Sequence, residues 1–196
     1  MKSLGSLFTR YLQKKRIDLA KKYLYGDVLD IGCGSASEDI IRLLNSEQKY
    51  VGIDLNLNAD QEKKLSKMHQ NHRFFSLNLE CDNIPTNDKF DTILMLAFIE
   101  HLKDPSNMLR QCYNLLKDDG KMIITTPTPF GNKIHSFLSI FGLTSKSAVE
   151  HNEHIYSYKA IKDLLQDFGF SICQYKIFEL GANQIICAEK EQRASD

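Results

Sequence analysis

The chain has 196 residues, 42% hydrophobic and 26% charged, proportions that exclude a disordered or fibrous protein and fit one globular core. Lys plus Arg and Asp plus Glu each number 25, so the basic excess needed for a general grip on phosphates is missing and no nucleic-acid partner is expected. The five cysteines form no C-x-x-C pair, which argues against a disulfide framework or a zinc site and for reduced thiols in a cytoplasmic protein.

The chain opens with MKSLGSLFTRYLQKKR, which has neither the apolar core nor the cleavage site of a secretory leader, and no run is long enough to span a bilayer. A helix is predicted over 6–24, within an N-terminal segment 1–25. There Leu7, Phe8, Tyr11, Leu12, Ile17, Leu19 and Leu24 alternate with Arg10, Lys14, Lys15, Arg16, Lys21 and Lys22. The charged residues read as a solvated face, with peripheral contact to an anionic membrane as the lesser alternative.

Next come a strand running into a glycine loop, DVLDIGCG (27–34), a helix over 36–46, the strand KYVGIDL (49–55) and a helix over 59–69. The strand FDTILML (90–96) and a helix over 104–117 follow. That helix opens at Asp104-Pro105, where Asp caps and Pro takes the first helical position. The strand GKMIITTP (120–127) leads to a lid-like insertion, 128–155, with apolar Ile134, Phe137, Leu138, Ile140, Phe141 and Leu143. A helix over 156–170 is closed by Gly169, and two strands, 171–180 and 183–190, flank a turn at Gly181-Ala182.

Short apolar strands alternating with helices predict a single α/β domain with a largely parallel sheet buried on both faces, closed by an antiparallel hairpin.

The junction after the first strand is the most informative. Gly32 and Gly34 let the backbone turn sharply and approach a ligand at the carboxyl edge of the sheet. About twenty residues later the second strand ends in Asp54, placed to accept hydrogen bonds from both hydroxyls of a ribose. These features describe an adenosine-type cofactor site. A dinucleotide fingerprint needs a third glycine at position 37, which is Ser37, so a nicotinamide-dependent oxidoreductase is the weaker alternative.

VLDIGCGSAS resembles the first motif of class I, Rossmann-like S-adenosylmethionine-dependent methyltransferases, with Ala36 where many members carry a glycine. The resemblance implies a doubly wound, seven-stranded, mainly parallel sheet in an α/β/α sandwich. It gives Asp30 the amino end of the methionine moiety, matches Asp54 to the ribose-binding acid, and lays Leu55 against the adenine face. NLECDNIPTNDKFDTILMLAFIEHLKDP is similar to the segment in which a carboxylate meets the adenine amino group. Here Asn78 holds that position, its amide oxygen still an acceptor. Leu79 would offer its backbone N–H to the ring, and Met95 with Leu96 would border the methionine portion. LLKDDGKMIITTPTP and EHNEHIYSYKAIKDLLQDFGF resemble the fifth strand and the helix before the hairpin.

The resemblance implies methyl transfer from S-adenosylmethionine, yielding S-adenosylhomocysteine, to an O, N or C atom of a small-molecule acceptor, by a monomer or homodimer. A hydroxyl or ammonium acceptor must lose a proton, so a base near the methyl would help. Glu100-His101 follows the fourth strand, and His151 and His154 lie where the chain returns to the sheet. His101 and His154 match positions often histidine in the quinone-biosynthesis methyltransferases. These side chains are the candidate catalytic groups; helix capping or pocket shaping is the plain alternative for each histidine. The metal-binding E-x-x-E-H pattern of some relatives has Ala97 at its first position, and no metal is expected. A non-catalytic cofactor-binding module is the other alternative, left open by Ala36 and Asn78.

Overall fold

In the computed structural model, residues 4–34, 37–57, 60, 63, 71–132 and 153–192 are described. The elements run α1 (Leu4–Ala20), β1 (Val28–Ile31), α2 (Ser37–Ile41), β2 (Tyr50–Ile53), β3 (His72–Phe75) and β4 (Phe90–Leu96). A 3₁₀ turn (Ile99–His101), α3 (Ser106–Leu115), β5 (Leu116–Pro127), α4 (Tyr158–Asp167), β6 (Phe170–Phe178) and β7 (Asn183–Lys190) follow.

The strands form one seven-stranded sheet ordered β3-β2-β1-β4-β5-β7-β6. β1 to β4 and β4 to β5 pair in parallel, whereas β7 runs antiparallel to both β5 and β6. The doubly wound sheet with its terminal hairpin is therefore present as expected.

Side-chain alternation divides the core in two. Leu29, Ile31, Val51, Ile53, Ile93, Met95, Met122 and Ile124 face α3 and α4, represented by Met108, Leu109, Cys112, Ile161 and Leu165. Val28, Tyr50, Leu94, Ile123, Ile185 and Cys187 face α1 and α2, through Ile17, Ala20, Ile40 and Ile41. Covering both faces is what the unbroken apolar strands required.

Local chemistry sets the boundaries. Asp104 accepts a hydrogen bond from Ser106 N–H at 2.9 Å, but the helix starts one residue later than expected: Pro105, at φ −77 and ψ −2, is its N-cap and Ser106 its first residue. Ser157 caps α4 by accepting from Ala160 N–H at 3.2 Å. α2 ends at Ile41, earlier than the expected 46, as Leu43 and Leu44 N–H tighten onto Ile40 and Ile41 carbonyls. α1 stops at Ala20. β3 was not foreseen: four residues with two polar side chains carry too little periodicity to show. Most of the helix expected over 59–69, all but positions 60 and 63, and most of the 128–155 insertion, His151 included, lie outside the described residues.

The hairpin turn is displaced by one residue. Ala182 N–H bonds to Glu179 C=O at 3.0 Å, making Leu180 and Gly181 the central pair, with φ +55 and +95. Both φ values are positive, as a hairpin turn matched to strand twist requires.

Candidate functional site

The carboxyl ends of β1, β2 and β4, with the segment after β3, enclose one cleft of about 550 Å³. Of the residues expected at the cofactor, Gly32, Asp54, Leu55, Asn78 and Leu79 line it, and His101 stands with them.

Gly32 and Gly34 adopt left-handed angles, φ +70 and +45. Gly34 N–H donates to Asp54 Oδ2 at 3.0 Å, and Asn56 N–H donates to Oδ1 at 2.8 Å. The same carboxylate thus ties the glycine loop to the end of β2. Each oxygen retains a lone pair, so the pair of acceptors needed by a ribose diol is available. Leu55 is 60% exposed, an apolar surface beside these acceptors that suits the face of a flat ring. Asn78 Oδ1 accepts from Glu80 N–H at 3.1 Å and keeps one lone pair, while its own N–H donates to Asp82 Oδ2 at 2.8 Å. Leu79 closes the floor, 4% exposed.

Of the other three, Gly34 is absent from the cleft lining and is tied to it through Asp54, while Asp30 and Met95 stand elsewhere. Asp30 is buried, accepts a hydrogen bond from Tyr50 O–H at 2.7 Å, and is absent from the cleft lining. Alternation turns it toward α1 and α2. Met95 is fully buried among Ile31, Ile53 and Ile124 on the opposite face.

Burial pushes the Asp30 carboxyl up to about 7, the Tyr50 hydrogen bond opposing the rise and the Asp54 charge adding to it. A carboxyl raised above its unfolded value near 3.9 is protonated more fully in the folded state between those values, so its stabilising contribution is present at acid pH and lost as pH rises toward 7. Asp30→Asn keeps an acceptor for Tyr50 and removes the ionisation. Chemical denaturation from pH 4 to 8 should show the variant gaining on the parent across that window, by at most about 1.4 kcal/mol for each tenfold difference in proton affinity between the folded and unfolded chain. A difference independent of pH would disprove the burial argument.

Phe98 was not foreseen. Ala97 has φ +56, an angle that costs a non-glycine residue roughly 1–2 kcal/mol, and is held by hydrogen bonds from its N–H to the carbonyl and hydroxyl of Thr125. The resulting kink folds the Phe98 ring over Gly32. No local pattern announces a kink made by contact with another strand.

The candidate bases are near one another in the chain but differ in setting. His101 is exposed at the cleft rim. Glu100 is 2% exposed, and desolvation raises its pKa against the opposing charge of Arg16. Its carbonyl accepts from both Glu153 and His154 N–H, fastening the returning chain to the 3₁₀ turn. His154 Nε2 lies 2.8 Å from the Lys103 carbonyl oxygen. Since that oxygen only accepts, Nε2 carries the proton and Nδ1 is the basic atom of the neutral ring.

The N-terminal helix requires one correction. Arg16, counted with the solvated charges, turns inward: its Nε is buried, and Nη2 reaches Asn183 Oδ1 at 3.4 Å. Tyr11 is 55% exposed and borders a separate groove between α1 and α2. Among the described residues, no helix is long and apolar enough to cross a membrane, and no group of three or more His, Cys, Asp or Glu is placed to hold a metal ion.

Known proteins resemble this chain in sequence and in fold. The chain is 27% identical over 172 residues to a tRNA U34 carboxymethyltransferase of Photobacterium profundum, a match covering 86% of this chain and 50% of that protein. It is 30% identical over 105 residues to a ubiquinone biosynthesis O-methyltransferase of Coxiella burnetii, covering 50% of this chain and 42% of that protein. The matches thus span about half the length of these relatives. The fold is shared with the Burkholderia thailandensis 1,6-didemethyltoxoflavin-N1-methyltransferase, solved with 1,6-didemethyltoxoflavin and S-adenosylhomocysteine, at TM-score 0.68 and 16% identity, covering 92% of this chain and 79% of that one. The family pattern described as "Methyltransferase domain" matches residues 5–175, and the chain belongs to that methyltransferase-domain family.

Proposed function

We propose that the chain is an S-adenosylmethionine-dependent methyltransferase that moves a methyl group to an O, N or C atom of a small-molecule acceptor. The observation that carries this reading is the cleft in which Asp54, the glycine loop, Leu55 and Asn78 converge below His101. When bound, the cofactor supplies an electrophilic methyl group on a sulfonium. The protein's part is to hold the ribose at Asp54, seat the ring against Leu55 and Leu79, and present the acceptor at a fixed distance. The buried Ser37 side chain, donating to the Gly34 carbonyl at 3.2 Å, fills the position a dinucleotide site reserves for glycine, which disfavours a nicotinamide cofactor.

The relatives act on different acceptors, one named for tRNA U34 and one for ubiquinone biosynthesis. The equal numbers of acidic and basic residues favour the small molecule. Calorimetric titration with S-adenosylhomocysteine, with NADH in parallel, tests the reading. Micromolar binding of the former alone supports it; binding of NADH alone defeats it.

The histidines are separable by kinetics. With His101 as the base, His101→Ala should lower kcat at least tenfold and leave S-adenosylhomocysteine affinity within about threefold. His154→Ala should have the smaller effect, because its ring is fastened to Lys103 outside the cleft. Equal losses of affinity and turnover in His101→Ala would instead make it a binding residue.

A further inference from the structure

The terminal hairpin carries two of the five cysteines, Cys173 on β6 and Cys187 on β7. Its strands pair with Phe170 opposite Lys190, Ser171 opposite Glu189 and Ile172 opposite Ala188, a register that brings the next residue of β6, Cys173, to Cys187. There the ladder shifts by one residue. Gln174 is the recorded partner of Cys187, and Cys173 is the extra residue between the two registers, as in a β-bulge. Left out of the ladder, Cys173 turns its thiol onto the opposite strand and donates to the Cys187 carbonyl at 3.3 Å. Both side chains pack into the cluster that faces α1 and α2, so they share one side of the sheet, and the thiols lie within hydrogen-bonding reach of each other.

These are the conditions a disulfide needs. Residues facing each other across an antiparallel pair have Cα atoms about 4.5–5.5 Å apart, inside the roughly 4.4–6.8 Å that a disulfide spans, so closing the bond requires only side-chain rotation. The other thiols stand apart from the pair and from one another: Cys33 in the glycine loop, Cys81 in the turn after β3 and Cys112 on α3.

The two thiols of the pair are not equivalent. Cys173 is half-buried, on the edge strand of the sheet, where a small oxidant can reach it. Cys187 is 1% exposed, and burial, with the adjoining Cys173, pushes its thiol up to about 12 against the opposing charge of Lys121. Because the thiolate is the attacking form, Cys173 is the first to react and Cys187 the one that resolves.

We infer that Cys173 and Cys187 are a reversible oxidation site, at which a peroxide converts the pair to a disulfide across the β6–β7 hairpin. The Cys173 sulfur attacks a peroxide oxygen and the O–O bond breaks, giving a sulfenic acid and a hydroxide that leaves as water with the Cys173 proton. The Cys187 sulfur then attacks the Cys173 sulfur. The S–S bond forms, the S–O bond breaks, and the departing hydroxide leaves as water with the Cys187 proton. Two thiols and one hydrogen peroxide become one disulfide and two waters. The bond ties the strands where the bulge interrupts their ladder, and so fixes β7, whose Gln184 holds the Pro127 and Tyr156 carbonyls at 3.3 and 2.7 Å.

The test is treatment of the full chain with hydrogen peroxide, followed by dithiothreitol. Non-reducing peptide mapping should join the Cys173 peptide to the Cys187 peptide, thiol titration in denaturant should find three of the five cysteines, and dithiothreitol should restore all five. The cross-link encloses a loop of about 15 residues, and the melting temperature should rise by roughly 5–10 °C. Cys173→Ser and Cys187→Ser should each abolish the cross-link and the rise, while Cys81→Ser should keep both. The peptide map of the unaltered protein stands by itself if Cys187→Ser does not fold. The inference is overturned if peroxide leaves all five thiols reduced, if it joins other cysteines, or if it carries Cys173 to the sulfinic acid with Cys187 still free. It is also overturned if the linked protein melts no higher than the reduced one, since the strands would then have to move to close the bond.

Discussion

Asp54→Ala is expected to weaken S-adenosylhomocysteine binding by ten- to a hundredfold or more, with global stability falling much less. The carboxylate has two tasks that alanine cannot perform. On the proposed reading it offers both ribose hydroxyls a charged acceptor, each such hydrogen bond being worth about 1.5–3 kcal/mol. It also anchors Gly34 N–H at 3.0 Å and Asn56 N–H at 2.8 Å, so its loss frees the loop that must approach the ligand. Asp54→Asn separates the tasks. Its single amide oxygen can keep one of the two anchors, but its NH₂ group cannot accept from the other, and an intermediate affinity should result. Titration calorimetry of the three proteins checks this order, and unchanged affinity in Asp54→Ala would remove the cofactor from this cleft.

Gly32→Ala should be the more damaging change to the fold. At φ +70 a side chain costs roughly 1–2 kcal/mol, and an added Cβ would lie far inside van der Waals contact of the Phe98 ring. Phe98 cannot simply retreat, because Ala97 before it is pinned to Thr125 and Ile99 after it is fully buried. Steric displacement adds about 1–3 kcal/mol, so a loss of roughly 2–5 kcal/mol in urea denaturation is expected, together with loss of ligand binding. Phe98→Ala in the same chain should return the steric part and leave the conformational part. If the double variant is no more stable than Gly32→Ala, the Phe98 contact is not what excludes a side chain there.

These expectations differ in how far local sequence could anticipate them. The glycine loop, Asp54 and the strands at 90–96 and 183–190 were legible because each depends on a short-range rule: a strand followed by a tight turn, an acid at a strand end, an apolar run of limited length. Asn78 and Leu79 were reached through resemblance, and the cleft does contain them. Asp30 and Met95 were matched to the cofactor by their place along the strands. What alternation decides, however, is which face each meets, and both point into the core, toward Tyr50 in one case and toward Ile31 and Ile53 in the other. Phe98 and the inward Arg16 were invisible, since the first depends on a kink imposed by β5 and the second on what α1 packs against.

By itself the sequence determined the alternating α/β order, a sheet buried on both faces and a glycine loop with an acid at the end of the following strand. Local propensities and the two-residue period of a strand are properties of neighbouring residues, so they are readable along the chain. Only the tertiary structure decided that Asp54 braces Gly34, that Phe98 caps Gly32, and that Arg16 turns inward to Asn183. Those contacts join residues far apart in sequence, and whether a charge ends in water or beside another charge is set by how the layers pack.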